Sequence, residues 1–353
     1  MGDSDNGQEN SALSSSRKRV VLGEITNFSN VVCQRPFKRK YGKDSQLQLT
    51  TRERNNRLKK ENEEGIKQEE SNESSSASRK CGYPSSIYEH LRSLEIEDKR
   101  RPLANYMEKV QTDISVNMRK ILVDWLVEVA EEYKLVSDTL YVAVAYVDRF
   151  LSFQALTRNK LQLLGVCCML IASKYEEIIP PHVEDFCYVT DNTYTKEEVV
   201  EMEEEVLKFL NFEVSTPTIK NFLRVFTGVT QQNCKKPDLQ FEFLGCYLAE
   251  LSLLDYSCLR YLPSLIAASA IFLSRFTIQP EIHPWNTLLQ SFSGYKPSDL
   301  KECVLAIHDL HLNRRGRSLP AVREKYMQRK FKLVAKLSSP SEVPARYFEA
   351  IDE

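Results

Sequence analysis

The spacing of apolar and polar positions from about residue 83 onward is that of a succession of amphipathic helices, and the stretch from Met118 to Leu151 sets the pattern. At about 100° per residue, Met118, Leu122, Trp125, Val129 and Tyr133 share one face, and Val123, Leu126 and Val127 widen it past half the circumference. A helix that apolar has to be surrounded by others. Its polar arc holds Lys120, Asp124, Glu128, Glu131 and Glu132, with Ile121 set among them beside Met118 and Trp125.

The remaining helices follow from the same periodicity and from their punctuation. Pro84 with Ser85 or Ser86 starts a leading helix with Ile87, Leu91 and Leu94 on one side, and Arg101 and Pro102 end it. Asn117 is the expected cap of the helix around Trp125. Ser137 and Asp138 open the next, whose Leu140, Val144, Val147 and Leu151 fall at helical spacing. A third runs from about Arg158 to Glu177, and its small residues Gly165, Cys168, Ala172 and Ser173 suit a central rod that neighbours approach closely. Pro180 and Pro181 stop it, and a short helix over Val183 to Val189 follows. Thr195 and Glu198 form a capping box for a fifth helix. One of its faces carries Val199, Met202, Val206, Phe209 and Leu210, the other Glu197, Glu201, Glu204 and Glu205, with Glu203 on the border.

Past Thr216 and Pro217 the organisation recurs. LPSLIAASAIFLSRF echoes LQLLGVCCMLIASKY, and SDLKECVLAIHDLHL echoes TKEEVVEMEEEVLKFL, in apolar pattern more than in identity. The expected fold class is all-α, with two tandem bundles of about five helices. Residues 1–82 form an arm, 83–212 the first bundle with its leading helix, 213–313 the second, and 314–353 a basic helix (about Pro320 to Lys336) and tail.

Composition narrows the function. With 42% apolar and 27% charged residues over 353 positions, the chain has ample material for a core. No stretch is long and apolar enough to span a membrane, and no apolar signal core opens the chain, so an intracellular protein is expected. The nine cysteines show no C-x-x-C pattern and read as small buried side chains. Cys303, His308 and His311 fan across about 140° of a helix and do not make a zinc site. Nucleotide-binding, metalloprotease and hydrolase motifs are absent, so the expectation is a binding protein, not an enzyme, with no cofactor.

The arm is poor in apolar residues and expected to be disordered. It is basic from Arg17 to Lys60 and acidic from Glu61 to Glu73. The clusters Arg17, Lys18, Arg19 and Lys38, Arg39, Lys40 suit nuclear import or plain solvation, and without aromatic interleaving no direct nucleic-acid contact is expected.

The strings MRKILVDWLVEV, YVDRFLS, LQLLGVCCMLIASKYEEI and TDNTYTKEEVVEME, with RVVLGEITN in the arm, resemble an A-type cyclin of a plant subgroup with a short N-terminal arm. The resemblance covers about Ser85 to Ala335. It implies two five-helix cyclin boxes in a subunit that binds and activates a cyclin-dependent kinase between S phase and mitosis. Lys174 and Glu203 would hold the kinase's regulatory helix inward and complete the kinase's own Lys–Glu pair. Arg119 and Asp148 would be a buried supporting pair, with Leu163 and Ala172 as packing residues of the same supporting core. Taken on its own, Lys174 is also a cation near a helix C-terminus. A groove receiving R-x-L peptides of substrates and inhibitors would comprise Met118, Ile121, Leu122 and Trp125 for the leucine, Glu128 for the arginine and Gln162 for the peptide backbone. Lys120 departs from the small residue often found there.

The resemblance also implies ubiquitin-dependent destruction. RVVLGEITN, through Arg19, Leu22 and Asn27, is similar to a destruction box, and Lys60, Glu61 and Asn62 spell KEN, both addressed to a cell-cycle ubiquitin ligase. A nuclear location with a cytoplasmic pool is expected. The alternative is a transcription-factor-like cyclin-box protein on nucleic acid, which expects basic folded boxes, whereas the first box here is acidic.

Overall fold

The computed structural model describes residues 82–232, 236–314 and 319–349. Among them the regular structure is helical throughout. A leading helix α1 (Gly82–Glu95) and a single turn α2 (Tyr106–Lys109) precede the first bundle. That bundle comprises α3 (Val116–Glu132), α4 (Ser137–Leu151), α5 (Leu161–Glu176), α6 (Val183–Val189) and α7 (Lys196–Phe209). The second comprises α8 (Ile219–Gln231), α9 (Leu239–Leu254), α10 (Pro263–Ile278), α11 (Thr287–Ser293) and α12 (Pro297–His311), and α13 (Ala321–Tyr326) follows. The echoing strings fall on α5 and α10, and on α7 and α12.

Local chemistry sets the boundaries. Ser115 caps α3, its backbone extended at φ −110° and ψ 160° and its hydroxyl accepting from the Met118 N–H. Asn117, the expected cap, already lies inside the first turn, where a side chain cannot bridge forward as a cap does. Thr195 and Glu198 form the expected capping box at α7, and Thr218 with Asn221 repeats the device at α8.

The rods at the two centres are α5, buried continuously from Leu161 to Ser173, and α10. Gly165 is required where α3 meets α5, since a Cβ there would lie 2.7 Å from Leu122 Cδ1. A backbone this close is what the small residues of α5 permit.

Two further expectations are corrected. On α1 Tyr88 and Glu95 are buried, Leu91, Arg92 and Leu94 partly buried, and Ile87 exposed. Tyr88 packs among Phe222, Phe226 and Phe292 and donates to Ser293 O at 2.8 Å. Arg92 donates to Ser264 Oγ and the Tyr295 hydroxyl, while buried Glu95 accepts from the Ser264 N–H at 2.9 Å. Buried Glu95, paired with partly buried Arg92, turns this helix from its expected apolar stripe onto the second bundle. The basic helix expected over Pro320 to Lys336 is likewise broken. Helix α13 ends at Tyr326, short 3-10 turns cover Arg329–Phe331 and Val334–Lys336, and Lys332 and Leu333 between them adopt positive φ of 56° and 58°.

Helix α13 also ties the bundles together. Lys325 Nζ donates to both Glu250 carboxylate oxygens at 2.9 Å, and the Tyr326 hydroxyl donates to Glu250 Oε1 at 2.7 Å. On its other side, the Ala321 N–H donates to Asp124 Oδ1 of α3 at 3.2 Å.

Candidate functional site

Lys174 stands in the last turn of α5 and Glu203 midway along α7, and packing of these two helices brings their side chains together. Lys174 Nζ donates to the two Glu203 carboxylate oxygens at 2.6 and 2.8 Å. The lysine side chain is half exposed, so water screens the pair and its worth to folding is small, roughly 0–1 kcal/mol. Immediately beyond it, the chain turns outward. Ile178 is 99% exposed, Ile179 86% and Tyr175 50%. Large apolar side chains this exposed, so soon after Lys174 in the chain, are surface that a partner would dry. Helical patterning did not single them out because KYEEIIPP ends a helix; the available signal was a pair of isoleucines directly before two prolines, in a loop with no core to enter.

A second ion pair is buried. Arg119 of α3 grips Asp148 of α4 bidentately, Nε to Oδ1 at 2.6 Å and Nη2 to Oδ2 at 2.7 Å, with both side chains out of water. Burial alone would lower the arginine pKa, but the Asp148 charge and its hydrogen bonds outweigh it and the guanidinium is held more firmly protonated. The Tyr106 hydroxyl donates to Asp148 Oδ1 at 2.8 Å, and Arg119 Nη1 donates to Leu253 O of the second bundle at 2.9 Å. The pair therefore fixes α2, α3, α4 and the end of α9 at one point. Leu163 and Ala172 are both buried in α5.

Along the edge of α3, Met118, Ile121 and Glu128 are partly exposed while Leu122 and Trp125 are buried. Gln162, at the start of α5, is also buried, with its Nε2 lacking a hydrogen-bond partner. Ile121 and Met118 thus present the accessible apolar surface, with Leu122 and Trp125 beneath. The acidic side is stronger than patterning suggested. Asp124 is buried under α13, and burial first, then the neighbouring Glu128 and Glu324, push its carboxyl up to about 7. Burial and the same Glu324 raise Glu128. Asp124 falls in the polar arc of α3, and nothing in the helical period reveals that a segment almost two hundred positions later covers it.

The degron-like residues Arg19, Leu22, Asn27, Lys60, Glu61 and Asn62, the two basic clusters and the disorder expected of the arm lie outside the described residues.

A family model for the N-terminal domain of cyclins matches residues 86–215, and one for the C-terminal domain matches residues 217–340. The chain belongs to the cyclin family. Like other cyclins it is a regulatory subunit, not an enzyme. It is similar to Cyclin-A3-4 of Arabidopsis thaliana, 53% identical over 342 residues that span 95% of this chain and 90% of that one. G2/mitotic-specific cyclin C13-1 of Daucus carota is 51% identical over 340 residues, spanning 95% and 97% of the two chains. These relatives agree with the expected plant A-type cyclin. Among solved structures, a viral cyclin from herpesvirus saimiri shares the fold, with a TM-score of 0.55 and 22% identity over 64% of this cyclin and 96% of that chain.

Proposed function

We propose that this cyclin binds and activates a cyclin-dependent kinase through the face built on Lys174, Glu203, Tyr175, Ile178 and Ile179. The observation that carries the reading is nearly complete exposure at Ile178 and Ile179, which follow directly in the chain on the helix whose last turn carries Lys174 of the Lys174–Glu203 pair. Covering one such side chain is worth about 1.5–3 kcal/mol, so the two isoleucines alone supply a substantial part of a stable association. The ion pair, cheap to open on the surface, can exchange its internal partner for polar groups on the kinase's regulatory helix and hold that helix inward. The kinase's catalytic Lys–Glu pair is then complete. Arg119 and Asp148 act at a distance by keeping α3 and α4 in register beneath α5.

On the same reading, the edge of α3 with Gln162 receives R-x-L peptides, the leucine against Met118 and Ile121 and the arginine toward Glu128. A peptide arginine suits a site where Asp124, Glu128 and Glu324 repel one another. Destruction through Arg19 and Leu22 and the KEN string, and nuclear entry through the basic clusters, belong to the proposal as well. The test of the kinase face is affinity: Lys174→Glu and Glu203→Lys are each expected to weaken kinase association at least about tenfold, a loss of about 1.4 kcal/mol, with thermal unfolding unchanged. Full affinity in both variants would reject the assignment.

A further inference from the structure

Of the 14 prolines in the chain, only Pro217 and Pro340 follow a hydroxyl residue, Thr216 and Ser339. A proline removes one backbone N–H and holds the residue before it in an extended conformation. A proline-directed kinase reads both features in its substrates. Thr216, between α7 and α8, is 8% exposed and out of reach. Ser339 is partly buried in a stretch, 337–340, that has no regular structure, and Ser338, Ser341 and Glu342 around it are exposed. Among the described residues, no backbone N–H from Ser338 to Val343 donates to another backbone group. The chain is anchored on either side, by buried Val334 and by Tyr347, whose hydroxyl donates to Pro280 O at 2.6 Å. This stretch can therefore lift into a kinase cleft while the bundle keeps its core. The Ser339 hydroxyl oxygen accepts from Thr277 Oγ1 of α10 at 3.2 Å and lies 3.3 Å from His308 Nε2 of α12, the nitrogen that donates to Pro340 O at 3.0 Å. Both contacts of the hydroxyl are long and cost little to open. Just past α12, Arg314 donates to Ser341 O.

We propose that Ser339 is a phosphorylation site for a proline-directed serine/threonine kinase, and that the phosphate fastens the C-terminal segment to α12. In the transfer, Ser339 Oγ bonds to the γ-phosphorus of ATP, the bond from that phosphorus to the β,γ-bridging oxygen breaks, ADP leaves, and the hydroxyl proton passes to a base of the kinase. The product carries close to two negative charges and three acceptor oxygens. Its ester oxygen is the atom that already touches Thr277 and His308, so those two side chains are the first donors the new oxygens meet, with Arg314 close at Ser341. Charge-assisted bonds of this kind are stronger than the neutral contacts they replace. The carboxylates flanking the segment oppose the phosphate little, since Asp309 is paired with Arg314 and Glu342 points to solvent. The site lies on elements of the second box, apart from Lys174, Glu203 and the α3 edge. Its assignment holds whether or not the chain activates the kinase that modifies it.

The test treats the full chain with ATP and an active proline-directed kinase and maps the products by mass spectrometry. Phosphate on Ser339 and none on Thr216 is expected. Pro340→Ala should slow modification of Ser339 at least about tenfold, because the feature the kinase reads is gone, and Ser339→Ala should leave this segment unmodified. The phosphorylated chain should unfold about 3 °C or more above the unmodified chain, the shift that one or two new charge-assisted bonds produce. Arg314→Gln and His308→Gln should each shrink that rise, read as phosphorylated against unmodified protein of the same variant. If His308→Gln does not fold, the Arg314→Gln pair still decides. Absence of phosphate from Ser339, an unchanged rate in Pro340→Ala, or a phosphorylated chain that unfolds at the same or a lower temperature would each overturn the proposal.

Discussion

Replacing Arg119 by Met removes a guanidinium while keeping most of the side-chain volume. The carboxylate of Asp148 is then left almost wholly buried, with only the Tyr106 hydroxyl to answer it, and Leu253 O in the second box loses its donor. Breaking one half of a buried pair costs about 3–5 kcal/mol because the remaining charge is stranded, whereas replacing both halves by apolar groups is often close to neutral. At about 2–4 °C per kcal/mol for a chain of this size, Arg119→Met is expected to lower the thermal midpoint by roughly 6–20 °C. The double variant Arg119→Met, Asp148→Leu should recover at least about 2 kcal/mol relative to the sum of the two single changes. Urea unfolding followed by tryptophan fluorescence suits the question, because Trp125 reports the first box and buried Trp285, whose Nε1 donates to Tyr295 O at 2.9 Å, the second. Arg119→Met should move the Trp125 transition further than the Trp285 transition. A loss below about 1 kcal/mol, or strictly additive single changes, would show that the pair is not the buried clamp described.

Other consequences are as direct. Asp124 titrates near about 7 in the folded chain against about 3.9 unfolded, so the folded state holds the extra proton between those values. Its contribution to stability is present below about pH 4 and lost as pH rises through about 7, by up to about 4 kcal/mol in all, and Asp124→Asn should flatten the pH–stability curve in that window. An unchanged slope would mean the carboxyl is not desolvated by α13. Ile178→Ser with Ile179→Ser should weaken kinase binding about a hundredfold, equivalent to roughly 2.8 kcal/mol, with no fall in the unfolding midpoint; a fall would place these side chains in the core. Ile121→Ser should weaken R-x-L peptide binding and leave kinase affinity alone, and it is a cleaner probe than Trp125→Ala, because Trp125 is buried and its truncation costs about 3–5 kcal/mol in folding. Equal loss of both bindings in Ile121→Ser would argue against a separate peptide groove.

Periodicity revealed most of the helices because apolar faces that pack against a neighbour must recur at 3.6 residues, and the small residues of α5 announced a central rod through Gly165 and Ala172. The capping box at Thr195 was visible for the same reason, its chemistry being local. What escaped was non-local. The face of α1 is set by Arg92 and Glu95 finding Ser264 and Tyr295 far along the chain, and Asp124 is buried by a helix that begins at Ala321. Charged side chains look solvated until a distant partner neutralises them. Lys174 and Glu203 came from family resemblance, and only the folded chain shows that they meet each other and that Ile178 and Ile179, shortly after Lys174 in the chain, are almost fully exposed. Likewise the resemblance supplied the α3 groove, while burial separated Met118 and Ile121 at its surface from Leu122 and Trp125 beneath.

The central claim is activation of a kinase by a subunit with no catalytic constellation of its own. Its most direct test is to mix the full chain with a monomeric, inactive cyclin-dependent kinase and measure the rate of phosphate transfer to a peptide, with Lys174→Glu as the paired control. A saturable rise in rate with the unaltered chain and a much weaker one with the variant is the predicted result, and no rise in rate at any concentration of the unaltered chain would contradict it.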